Sequence, residues 1–244
     1  MSVPVGSLRD MTGPGGYRER PSRYDRAVVW TRAVGRGQSR PVLPDGCLDL
    51  IWCSGRLFVA GPDTTAHRPM IAPGTELAGI RFYPGTAPAL LGLPAHELRD
   101  RRVELADIWP AVLARRLTGQ VDDAADHAAA LEDLVLSRAV DLAPPDPRLA
   151  HIVTALAAGW TIAATAASVE LNPRLLHRRS LAAFGYGPKT LARVLRLQRA
   201  VAAARSGVPL ADTAARTGYA DQAHMSREVR ELTGMPLREL LIRG

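Results

Sequence analysis

Several things are scarce in this sequence, and each shortage narrows what the chain can be. Among its 244 residues the only cysteines are Cys47 and Cys53, and the only lysine is Lys189. Both cysteines fall in a strand-like segment at an even spacing, which puts them on one face. A strand rising about 3.3 Å per residue holds them about 20 Å apart, so free, partly buried thiols are expected rather than a disulfide. No zinc-type Cys/His spacing occurs, nor a tight His/Glu cluster for a catalytic metal, nor a nucleophile motif; the expectation is a non-enzyme with no cofactor and no metal. Long apolar runs are missing too. The least charged stretch, "IVTALAAGWTIAATAASV" between His151 and Glu170, is too rich in Ala, Thr, Gly and Ser to cross a bilayer. Residues 1–20 lack the apolar core of a signal peptide, and their Gly and Pro suggest a loose tail. The expected address is the cytoplasm, without a membrane partner.

What is present is ordinary globular material, 47% hydrophobic and 23% charged, in a chain long enough for two domains with real cores. From Tyr24 to Phe82 the segments "RAVVWTRAV", "CLDLIWC", "RLFVAG" and "LAGIRFY" read as strands, separated by the turn-forming clusters "PDG", "CSGR", "GPD" and "APGTE". Helical texture follows in "GTAPALLG", "LADIWPAVLARRL" and "DDAADHAAALEDLVLSRAV", where Leu131, Leu134, Val135 and Leu142 make an apolar stripe. "DLAPPDPR" cannot continue a helix. It divides the chain into a β-rich domain with trailing helices over 1–142, a Pro-rich linker over 143–147 and a helical domain over 148–244.

Charge follows the same division. From Arg148 onward there are 14 Lys and Arg against 6 Asp and Glu, whereas the preceding residues carry 17 against 18. The whole positive surplus sits in the helical domain, which points to a polyanionic partner, most commonly nucleic acid.

Within that domain "TIAATAASVELNPRLLHRRSLAAFG" and "PLADTAARTGYADQAHMSREVRELTG" share a plan: a short helix with a central Ala (Ala166, Ala214), a tight turn, and a capped Arg-bearing helix ending near Gly. That is a duplicated helix-turn-helix. The small Ala lets two helices cross closely, Asn172 and Asp221 are N-caps, and Pro173 sits where no donor is needed. At 100° per residue, Met225, Val229 and Leu232 face inward, leaving Ala223, Arg227 and Arg230 opposite, His224 and Ser226 on the flanks and Gln222 in the first turn. In the first unit Leu176, Ala183 and Phe184 face inward, Arg174 and Arg178 outward, with Leu175 and His177 flanking. A helix fits the DNA major groove, where Arg can fork onto guanine O6 and N7 and Gln onto adenine N6 and N7. The candidate DNA-binding residues are therefore Arg174, His177, Arg178, Gln222, His224 and Arg227. Between the units, "KTLARVLRLQRAVAAARSG" reads as one helix about 25 Å long, close to the ~34 Å between successive major-groove faces once each unit's own width is added.

"GYGPKTLARVLRLQRA" followed by "LADTAARTGYADQAHMSREVRELTGMPLREL" resembles the C-terminal signature of AraC/XylS-type transcription regulators, over about Leu149 to Leu241. The resemblance implies two helix-turn-helix units joined by a long helix, binding double-stranded DNA and often activating transcription through contact with RNA polymerase. It also implies an α+β chain of two domains, in which a small cupin-like β-barrel with trailing helices precedes an all-α double helix-turn-helix domain. The N-terminal domain would sense a small-molecule effector or support a homodimer. Two positions depart from the family pattern. Glu170 stands where Gly is usual, forcing a non-Gly residue to positive φ at about 1 kcal/mol, and Ser180 stands where a large apolar residue is common. In the N-terminal domain Asp45, Asp49, His67, Arg81 and His96 read as turn formers, caps or solvated residues. The competing reading is a β-barrel enzyme or DNA-alkylation repair protein fused to a helix-turn-helix module. Repair would need a reactive Cys near basic residues, and Cys47 and Cys53 lie in an apolar strand setting.

Overall fold

The computed structural model describes residues 11–13, 16–35 and 41–243. Seven antiparallel strands come first: β1 (Met11–Gly13), β2 (Tyr17–Pro21), β3 (Ala27–Ala33), β4 (Leu48–Cys53), β5 (Arg56–Ala60), β6 (Glu76–Phe82) and β7 (Arg102–Glu104). They form one sheet in the order β1-β2-β3-β6-β4-β5-β7. Among the described residues no ladder joins β7 to β1, so the sheet is open where a closed barrel would have no edges. The four strands read from the sequence are β3 to β6. The tail expected over residues 1–20 needs correction, because β1 and β2 within it are paired strands; residues 1–10, 14 and 15 lie outside the described set.

Period-two alternation gives the sheet two different faces. Val29, Leu48, Leu50, Trp52, Leu57, Val59, Ile80 and Phe82 point one way into the main core. Four helices cover that face: α1 (Ala87–Leu91), α2 (Leu105–Ile108), α3 (Ala111–Asp122) and α4 (His127–Ala139). The expected "LADIWPAVLARRL" helix is split at Trp109 and Pro110 into α2 and α3. The α4 stripe of Leu131, Leu134 and Val135 is buried in the core, with Leu142 packed against it.

Glu132 fastens α4 to the start of the sheet. Its carboxylate is 1% exposed and accepts from Arg20 Nη2 at 2.8 Å, the Arg23 backbone N–H at 2.6 Å and Arg23 Nε at 3.1 Å. Burial alone would raise its pKa, but these donors outweigh burial and bring it down to about 2.

The opposite face carries Trp30, Asp49, Ile51, Leu77 and Arg81. Asp49 and Arg81 are not turn formers or solvated residues, as the sequence suggested. Their partner lies 32 residues away across the β4-β6 ladder, and the Asp49 carboxylate also accepts from Trp30 Nε1 at 2.7 Å. Asp45 does form a turn, accepting the Cys47 N–H at 2.9 Å, and His96 is exposed, as read. His67 is half-buried and pairs through its backbone with Val42.

After Ala139 the chain passes through Pro144 and Pro145 to α5 (Pro147–Ala157), α6 (Ile162–Ser168), α7 (Pro173–Phe184), α8 (Pro188–Arg205), α9 (Leu210–Thr217), α10 (Gln222–Thr233) and α11 (Leu237–Arg243). These helices hold two cores, one around Ile152, Leu176, Phe184 and Leu191 and the other around Leu197, Met225, Val229 and Leu237. No helix among the described residues is long and apolar enough to cross a membrane.

The Glu132 cluster sets an acid limit. Its folded pKa lies below the usual carboxylate value of 4.5, so its stabilisation is complete above that value and disappears as pH falls toward 2. Glu132→Gln is expected to destabilise the protein at pH 7, because it removes the charge that the Arg20 and Arg23 donors hold at the buried end of the cluster. The gap from the parent should close on acidification, as followed by chemical denaturation at stepped pH; a pH-independent gap would contradict this.

Candidate nucleic-acid interface

Two helix pairs repeat one local geometry. In the first, Ala166 is 1% exposed, and its carbonyl accepts the Leu171 N–H at 2.9 Å across the turn between α6 and α7. In the second, Ala214 is also 1% exposed, and its carbonyl accepts the Tyr219 N–H at 3.0 Å between α9 and α10. Such six-to-one closures need a left-handed residue inside the turn. Gly218 supplies it at φ 84°, and Glu170 occupies the matching place at φ 56°, as the departure from the family pattern suggested. Each second helix is capped by its expected residue: Asn172 Oδ1 accepts the Leu175 N–H at 2.9 Å and Asp221 Oδ1 the His224 N–H at 2.6 Å.

The inward faces are as read: Leu176, Phe184, Met225 and Val229 are fully buried, with Ala183 and Leu232 nearly so. Ser180 is also fully buried, and its hydroxyl has no hydrogen-bond partner among the described residues. The polar outer faces divide by use. Arg174 and Arg178 on α7, and Gln222 and Arg227 on α10, are exposed and have no side-chain partner among the described residues.

Three of the arginines of α8, Arg193, Arg196 and Arg199, are otherwise employed. Glu228 on α10, with its side chain 8% exposed, accepts from Arg193 Nε at 3.0 Å and Arg196 Nη2 at 2.7 Å. The Arg196 guanidinium also lies 4.5 Å over the Tyr219 ring, and Arg199 Nη2 donates to the Thr217 carbonyl at 2.9 Å. Burial works to raise the Glu228 pKa, but Arg196 and Arg193 prevail and hold it low. Their role as anchors was missed, and the one signal available was an acidic residue between Arg227 and Arg230.

The two histidines differ from the free arginines. His177 is exposed but lines a groove with Thr64 and Asp100 of the N-terminal half, beside the outward stripe of α7. His224 stands with its ring edge against Tyr219 at 5.3 Å, and its Nδ1 accepts the Ala220 N–H at 3.4 Å, leaving Nε2 as the outward donor.

The N-terminal half supports this array directly. The Ala66 N–H donates to the Leu232 carbonyl at 2.8 Å, Gln198 Nε2 donates to the Pro44 carbonyl at 2.7 Å, and Leu43 packs on the second unit's core. Gly185 ends α7 at φ 83°, and a Cβ there would lie 2.4 Å from Pro62 Cγ, so only glycine allows this approach.

No group of three or more His, Cys, Asp or Glu among the described residues could hold a metal ion. Both cysteines are free, and burial pushes the Cys47 thiol up, away from the thiolate a nucleophile needs.

Residues 165–243 match a family described as a helix-turn-helix domain, and residues 27–104 match a domain of unknown function, DUF6597. No curated protein matches the chain at a significant level. Among solved structures, a point variant of apo ToxT from Vibrio cholerae is 12% identical, covering 91% of this chain and 99% of its own with a TM-score of 0.48. An unsaturated fatty acid bound ToxT from the same organism is 13% identical, covering 89% and 94% with a TM-score of 0.42. A probable AraC family transcriptional regulator from Rhodopseudomonas palustris is 23% identical, covering 40% and 97% with a TM-score of 0.35. Superpositions this loose carry no statement about ligand or mechanism to this chain.

Replacing Glu170 by Gly is expected to relieve the left-handed strain and raise stability by about 1 kcal/mol, read as a higher Tm. A lower Tm would mean that the Glu170 side chain, not its backbone, holds the turn.

Proposed function

We propose that the chain is a DNA-binding transcription regulator of the AraC type with an N-terminal regulatory domain, and that it reads two neighbouring major-groove segments with α7 and α10. One observation carries this reading. The arginines facing α10 from α8 are consumed in holding it, whereas Arg174, Arg178 and Arg227 are exposed without a partner among the described residues. A guanidinium kept free beside a well-anchored helix core is suited to forked contact with guanine, and Gln222 in the first turn of α10 to adenine. In this reading His224, whose Nδ1 accepts the Ala220 N–H, donates from Nε2 to a phosphate, and His177, which lines the groove with Asp100, takes a lesser part. The 18 residues of α8 give a spacer about 27 Å long, so one chain suffices for both segments without a homodimer.

The function divides as the chain does. Residues 148–244 bind DNA, and residues 1–142 modulate binding, with 143–147 as the joint. The protein works in the cytoplasm, contacts RNA polymerase beside the promoter and catalyses no reaction. A repair activity would require an activated thiol, and the raised Cys47 pKa opposes it.

Arg178→Ala and Arg227→Ala are each expected to cost about 1 to 3 kcal/mol on the preferred duplex and to relax base preference at separate positions. Equal weakening on every duplex would mark either residue as a phosphate contact. Affinity of the parent should fall steeply with salt, the slope of log K against log salt being about −0.9 per phosphate neutralised. A chain ending at Leu142 should retain no DNA; retention there would overturn the division of labour.

A further inference from the structure

The sheet face turned away from the helices forms the floor of a cavity of about 410 Å³, in the range that holds a small organic molecule. Strand register orders that floor in rows. Arg81 pairs with Asp49 in one row, and Ile51 with Phe58 and Gly79 in the next. Arg32 pairs with Leu77 in the third. Rows two residues apart lie about 6.7 Å from each other, so the floor runs about 13 Å from a charged end over an apolar middle. Gly79 is what makes the middle flat: a Cβ there would lie 2.3 Å from the Trp30 indole, which covers that spot.

The charged end is built but unfinished. Arg81 gives its Nε to Asp49, at 3.2 and 3.3 Å, while its two terminal amino groups have no protein partner among the described residues. Asp45 uses one oxygen on the Cys47 N–H, its carboxylate also lies beside the Cys47 thiol, and its second oxygen is 3.8 Å from Arg81 Nε. An open guanidinium fork and an open carboxylate oxygen therefore share this end. Elsewhere in the lining Arg102 is bonded to Asp63 and Arg56 to Glu104, each a closed pair. Counting Arg32 as well, the lining acids and arginines cancel, so neither a bare anion nor a bare cation meets a surplus of opposite charge.

We propose that this cavity binds a small zwitterion with an apolar body, such as an α-amino acid with an aromatic or aliphatic side chain. Its carboxylate sits on the Arg81 fork, its ammonium on Asp45, and its body lies over Trp30, Ile51 and Phe58. Two backbone straps roof the charged end, Val42–Asp45 and the segment at His67, tied to each other by N–H to carbonyl bonds of 2.8 and 2.9 Å. The same straps hold the second helix-turn-helix unit through Pro44 with Gln198 and Ala66 with Leu232. An occupant that moves the roof therefore moves a support of α10. This coupling rests on the DNA-binding reading above, whereas the site itself does not.

Phenylalanine, phenethylamine and 3-phenylpropionate share one carbon skeleton and separate the two head charges. With the full chain and no DNA, phenylalanine at about 10 mM should raise Tm by about 5 °C, and each half-charged relative by much less. Arg81→Ala leaves Asp49 buried without its cation and could unfold the domain, so Ile51→Trp is the second variant. It fills the middle of the floor and should keep a parent-like Tm while losing the phenylalanine shift. No shift with any probe, equal shifts with all three, or a full shift in Ile51→Trp would overturn the site. A second arm measures affinity for a duplex recovered by selection, with and without phenylalanine, where a change of threefold or more is expected. An unchanged affinity beside a positive thermal shift would overturn the coupling alone. Failure to bind any duplex without ligand would instead count against the DNA-binding reading.

Discussion

The contact on which the rest depends is the Glu228 carboxylate held between Arg193 and Arg196. It ties α10 to α8 by charge-assisted bonds in a largely desolvated setting, where losing one partner costs about 3 to 5 kcal/mol. Apolar packing of Met225, Val229 and Leu232 gives α10 an inner face. Packing of that kind tolerates small rotations, and an acid forked by two arginines does not. The fixed rotation leaves Arg227, one residue before Glu228, directed outward.

The first unit is held by different means. Arg179 on α7 reaches Asp146 at 3.1 Å, the residue that also caps α5, and the end of α7 abuts Pro62 through Gly185. Its turn carries strain at Glu170, and its core holds the Ser180 hydroxyl, which has no hydrogen-bond partner among the described residues. The two units are thus unequal in their internal anchoring, the second having the Glu228 pairs and the first not, while both also lean on the sheet domain. A change in the sheet domain reaches the first unit through Pro62 and the second through Pro44 and Ala66.

Local features were legible in the sequence. The caps Asn172 and Asp221, the small Ala166 and Ala214 and the left-handed place of Glu170 each depend on neighbours within five residues. Strands β3 to β6 were legible because their alternation is strong. β2 was hidden because "YRERP" alternates too little apolar character to stand out from a tail, and β7 because three residues carry no period. The pairs Asp49 with Arg81, Glu132 with Arg20, and Glu228 with Arg196 join residues 32, 112 and 32 positions apart. Nothing in local spacing marks such residues as buried, so they read as ordinary surface charges. The same blindness concealed the cavity, whose floor exists only once register sets Arg81 beside Asp49.

The central claim is that two helices of one chain read DNA side by side. Selection of bound sequences from random duplex DNA by the full chain tests it most directly. The account predicts two short preferred blocks with centres about 10 base pairs apart, one helical turn. A single block, or enrichment of no sequence at all, would contradict it.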